Sequence, residues 1–135
     1  MRFYERMDQI LAELIPLMHT MKYCMEESDA SEHLTKCEEF KDSFSKYTDL
    51  YDQIRNETLI HQSYLPENIL LSSNMVVKKM HDDLNFWINT AKAFFEQKYE
   101  DIDDATIQEV LTDLFKTIAV MEVHIKKRLE ELSST

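Results

Sequence analysis

Apolar side chains return every three or four residues in four separate stretches, the pattern of helices that each bury one face. The first runs from Phe3 to about Glu27 with Met7, Leu11, Leu14, Met18, Met21 and Met25 on its stripe. Pro16 lies inside it and predicts a kink there or a break just before, because the ring removes a backbone donor and crowds the preceding turn. Asp29-Ala30-Ser31-Glu32 has the form of a capping box and opens a second helix, whose stripe is Cys37, Phe40, Phe44, Tyr47, Tyr51 and Ile54 and which reaches about Ile60. Pro66 interrupts the pattern, and Ser72-Ser73-Asn74 is read as the cap of a third helix carrying Val77, Met80, Leu84, Trp87, Ala91 and Phe94 or Phe95. After the acidic stretch from Tyr99 to Asp104, a second capping box, Thr106-Ile107-Gln108-Glu109, opens a fourth helix with Ile107, Leu111, Leu114, Ile118, Met121, Ile125 and Leu129 facing inward. Ser133-Ser134-Thr135 reads as a frayed end.

Four amphipathic helices joined by short connections predict an all-α fold: an antiparallel, up-and-down four-helix bundle over residues 1–135 as a single domain, with room for a short extra helix at 65–71. Composition narrows this further. The chain has no glycine and two prolines, which excludes Gly-rich phosphate loops, dinucleotide fingerprints and Asn-Gly hairpins. Hydrophobic residues make up 44%, enough for a packed core. The formal net charge of −11 repels phosphate backbones and counts against double-stranded DNA as a partner. No apolar run approaches a membrane span and the first residues lack the order of a secretory signal, so a cytoplasmic protein with no membrane partner is expected. Cys24 and Cys37 have neither a CxxC pattern nor a histidine cluster and are read as reduced packing residues.

Most candidate chemistry falls back to structure. His19, His33, His61, His81 and His124 are scattered one per segment, without the Glu-x-x-His or paired-histidine spacing of a bundle metal site. Asp101, Asp103 and Asp104 begin like a calcium loop but Thr106 and Thr112 stand where its glycine and closing glutamate belong. No metal and no cofactor is therefore expected. His33-Leu34-Thr35-Lys36 resembles part of a phosphotransfer motif, but His19-Thr20-Met21-Lys22 and His124-Ile125-Lys126-Lys127 fit it equally, and no glycine follows any of them. Met18, Met21 and Met25 hold stripe positions and read as core. Lys126-Lys127-Arg128 sits in the last turns of a helix, where the macrodipole favours cations.

One motif rises above this background: Arg55-Asn56-Glu57-Thr58-Leu59-Ile60-His61, followed by Tyr64. An arginine, a polar residue directly after it and a histidine six positions on, at the end of an aromatic-rich helix, resembles the signature of the HEPN superfamily of helical ribonucleases in toxin-antitoxin and anti-phage defence systems. The resemblance implies a homodimer in which both copies of the motif line one cleft, with RNA as substrate and Arg55, Asn56, His61 and Tyr64 as site residues. The chemistry stands on its own terms. His61 would take the 2′-hydroxyl proton, Arg55 would hold the phosphate as it becomes pentacoordinate, and Asn56 would orient either group.

On a regular helix, six residues leave Arg55 and His61 about 120° apart; the length of the arginine, a distorted helix end before Pro66 or a symmetric partner could each bring them together, and a dimer cleft does so without strain. His61 also continues the Ile54 stripe and reads equally as the end of a core face, with Arg55 paired to an acid of the first helix. The competing class is a non-enzymatic acidic bundle that binds a protein with a basic surface: an immunity, antitoxin, anti-defence or adaptor protein. Solvent-facing Arg55 and His61 side chains converging on one cleft favour the enzyme. Burial or separation favours the binder.

Overall fold

The computed structural model describes residues 2–26 and 29–134. Within them α1 spans Arg2–Cys24, α2 Ala30–His61, α3 Glu67–Phe95 and α4 Asp104–Ser133, with a single 3-10 turn at Tyr99–Asp101 before α4. Cross-helix pairs fix the topology. Arg6 meets Glu57 and Cys24 meets Glu39, so α1 and α2 are antiparallel. Thr58 with Ser73 and Tyr51 with His81 give α2 and α3 the same relation, and Lys22 with Gln108 gives it to α4 and α1. Each helix packs on its two neighbours, and no diagonal pair meets among the described residues. That is the up-and-down bundle the periodicity predicts.

One core runs the length of the bundle, with Trp87, Tyr47, Phe40 and Phe94 as its largest fully enclosed side chains. The predicted stripes of α1 and α4 are buried as read, apart from a half-buried Leu129. On α3 Met80, Trp87, Ala91 and Phe94 are buried as read, but at two positions the residue before the predicted one is inside: Val76 and Asp83 are buried, while Val77 and Leu84 are half-buried. A carboxylate at a core position misled the hydrophobic pattern. No helix among the described residues is long and apolar enough to cross a membrane.

Several boundaries differ from expectation. α1 runs through Pro16 unbroken, and Thr20 Oγ1 donates to the Pro16 carbonyl at 3.0 Å. Its expected end at Glu27 lies outside the described residues. There is no separate helix at 65–71: Pro66 is the N-cap of α3, which continues to Phe95. Ser72 and Ser73 lie buried inside it rather than capping it, because the Ser72 hydroxyl donates back to the Asn68 carbonyl and Ser73 shares a hydrogen bond with Thr58. The Asp29 cap of α2 is present, accepting the Glu32 N–H at 3.0 Å. α4 is capped by Asp103, which accepts the N–H groups of Ala105 and Thr106, so Thr106 lies inside the first turn instead of opening it. Ser133 ends α4 and Ser134 caps it by donating its N–H to the Glu130 carbonyl; Thr135 lies outside the described residues.

The turn after α3 exposes what a glycine-free chain must do. Gln97 adopts φ 58°, in the left-handed region that glycine normally fills. Its N–H reaches the Phe94 carbonyl at 3.0 Å and that of Lys98 reaches Ala93 at 2.8 Å, the pair of bonds that closes a helix with a left-handed residue.

Candidate functional site

Helix α2 stays regular through His61, so its side chains keep helical spacing and the motif residues diverge. Arg55 and Asn56 are exposed, and Arg55 makes no hydrogen bond or ion pair among the described residues. Lys41 lines the groove between α2 and α3, and Arg55 stands two heptads beyond it, which places it on the α3 side. The expected ion pair between Arg55 and an acid of α1 is not formed. Instead Arg6 of α1 holds Glu57 at 3.0 Å.

His61 turns the other way. Its ring packs on Phe3 of α1 with centroids 5.2 Å apart. Its Nδ1–H donates to the Glu57 carbonyl at 2.9 Å, with the Glu57 carboxylate 3.6 Å away. That bond leaves Nε2 as the acceptor of the neutral ring. The side chain is 37% exposed, so it belongs neither to the core nor fully to solvent. Tyr64, in the turn before α3, is 83% exposed, and Leu59 and Ile60 are exposed beside it. Within one chain, Arg55 and His61 therefore leave α2 on different sides and enclose no common cleft.

What the sequence order hides is where the arginines gather in the bundle. All four arginines sit near helix ends: Arg2 and Arg6 start α1, Arg55 is near the end of α2, and Arg128 is near the end of α4. In an antiparallel bundle those ends coincide, so the arginines gather at one pole together with Lys126, Lys127, His61 and His124, among the carboxylates Glu5, Asp8, Glu57, Glu67, Glu130 and Glu131. The opposite pole holds the α1–α2 and α3–α4 turns. There Glu26, Asp29, Glu32, Glu96, Glu100, Asp101, Asp103 and Asp104 are all exposed, and within the described residues only Glu96 of these forms an ion pair, with Lys98. The sequence signal for this was the position of each arginine relative to its helix end, legible only once the helices are known to alternate in direction.

The remaining candidates are structural. His33 is 4% exposed, hydrogen-bonded to the Tyr99 hydroxyl at 3.1 Å and packed at an angle against Phe94 and edge-on to Tyr99, out of reach of a phosphodonor. Cys24 and Cys37 are free and buried. Burial, followed by the nearby Glu39, pushes the Cys24 thiol up to about 11, and burial raises Cys37 as well, so both are protonated and weakly nucleophilic at neutral pH. Met18, Met21 and Met25 are core. Among the described residues, no group of three or more His, Cys, Asp or Glu side chains is placed to hold a metal ion.

Comparison with protein-family models, with curated proteins and with solved structures finds no match to this chain.

Proposed function

We propose that this chain is a non-enzymatic, acidic helical-bundle protein of the cytoplasm that docks on the basic surface of a protein partner and regulates it, as an immunity, antitoxin, anti-defence or adaptor protein would. The observation that carries the reading is the acidic pole: carboxylates from two turns crowd one end of the bundle with a single ion pair among them. Such a surface steers a basic partner in diffusional encounter and repels acidic ones. The separation of Arg55 from His61 supports the same reading, because it removes the one-chain catalytic cleft. The test compares wild type with a variant carrying Glu100→Gln, Asp101→Asn and Asp104→Asn. Affinity capture from the native cell should retain a basic protein at low salt with wild type and lose it with the variant. Equal capture by both would refute the role of this pole.

A second reading keeps the HEPN-like homodimer, a metal-independent ribonuclease or an inactive relative. It is favoured by the unpartnered Arg55, by the free Nε2 of His61 and by the exposed Leu59, Ile60 and Tyr64 beside them, an apolar surface that a second copy would cover. In that assembly the two-fold axis would set one copy's Arg55 against the other copy's His61. Incubation with total RNA in chelator decides between the readings. Intact RNA favours the docking protein, whereas cleavage lost in both Arg55→Ala and His61→Ala establishes the enzyme.

A further inference from the structure

The arginine pole contains a small cleft that neither reading uses. Between the start of α3 and the last turns of α4, Pro66, Asn68, His124, Lys127, Arg128 and Glu131 line a cavity of about 130 Å³. His124, Lys127 and Arg128 project from successive positions of one face of α4, so three basic side chains converge on it in a chain whose net charge is −11. Their bonding is incomplete. His124 Nδ1 and Arg128 Nε are shielded from solvent and have no hydrogen-bond partner among the described residues. Lys127 forms no ion pair among them either.

The one carboxylate in the lining, Glu131, is already engaged by Arg128 Nη1 at 3.2 Å, and Tyr4 of α1 lies beside the guanidinium. Arg128 is thus held in place from two sides while its Nε goes unused. Asn68 turns its Oδ1 to the Ile69 N–H at 3.0 Å, which leaves its amide N–H₂ as a further donor at the cleft. α3 begins there at Pro66 without a side-chain cap, and Glu67 in its first turn offsets part of the positive helix end.

We infer that this cleft binds a phosphate group. A shielded guanidinium N–H without an acceptor is rare in folded proteins, and two permanent cations facing one carboxylate favour an anion over a neutral ligand. The donor set has imidazole, ammonium, guanidinium and amide groups around a space of phosphate size. That exceeds what one carboxylate absorbs and suits a tetrahedral oxyanion. Free phosphate and a terminal phosphomonoester present the same chemistry, and the experiment separates them.

Full-length protein is titrated with inorganic phosphate against chloride at matched ionic strength, read by isothermal calorimetry and by the chemical shift of the His124 ring. Parallel arms use a dinucleotide with and without a 5′-phosphate. Wild type should bind phosphate specifically, and Lys127→Ala and His124→Gln should each weaken binding at least fivefold. Both side chains are partly or fully exposed, so both variants keep the fold, as circular dichroism would verify. Preference for the phosphorylated dinucleotide identifies a phosphomonoester as the ligand, whereas inorganic phosphate binding more tightly identifies the free ion. A wild-type response no greater than that to chloride, or unchanged binding in both variants, overturns the proposal. Neither result bears on the acidic pole.

Discussion

The two poles of this bundle are closed by different physics. At the acidic pole the helix ends are locked by rings: Phe94, Phe95, Tyr99 and His33 pack on one another beneath the turn, and His33 is nearly inaccessible. At the arginine pole the corresponding histidine, His61, is partly exposed on Phe3, and Arg6, Glu57 and Arg128 tie the helices through polar contacts. One end therefore has a sealed interior beneath a surface rich in exposed carboxylates, and the other has a polar rim with a donor left over. The difference teaches where function can reside. A ring-packed cap is a rigid platform for surface charge, whereas an open polar rim can admit a ligand.

The largest effect should come from breaking the ring-packed cap. Phe94→Ala removes a fully buried ring and should cost about 3–5 kcal/mol in urea unfolding. Phe3→Ala should cost clearly less, because the first turn of α1 can relax into the gap. Equal costs would abolish the contrast between the poles. Next in size is the strained turn above the cap. Gln97→Gly should stabilise by about 1 kcal/mol, since only glycine takes that backbone region without a Cβ clash; a loss of stability would show that the Gln97 side chain has a role of its own.

pH sharpens the comparison with opposite signs. The hydroxyl of Thr106, then its N–H and that of Ala105, hold the Asp103 carboxyl below the usual carboxylate range. Its stabilisation is complete above that range and is lost as pH falls through the lowered folded value. Asp83, buried in the middle of α3 with Oδ2 unpartnered, is pushed up by desolvation despite its 2.8 Å contact with Lys79. It costs nothing in strong acid and destabilises as pH rises above the ordinary range toward its raised folded value. Thermal melts from pH 2 to 7 should show Asp103→Ala losing a few degrees only on the neutral side, and Asp83→Asn gaining on that same side. The smallest effect belongs to the rim. Arg6→Ala should cost under about 1 kcal/mol, with the loss shrinking in high salt, because the Arg6 side chain is 46% exposed.

The number of helices, their core faces and the Asp29 cap were legible in the sequence, because periodicity and capping are local rules acting within a few residues. The same local rules fixed the divergence of Arg55 and His61 once α2 proved regular. Locality also explains the errors. Thr106 mimics a cap but Asp103 caps the helix three residues earlier, and Ser72 and Ser73 look like a cap until the Asn68 carbonyl and Thr58 of α2 supply their partners. Asp83 occupies a core position that no hydrophobic pattern would assign to a carboxylate. Gathering four arginines at one pole, and setting His124, Lys127 and Arg128 around a cleft closed by α3, required the antiparallel order of the chain. Those distances lie between residues remote in sequence, and only packing brings them together.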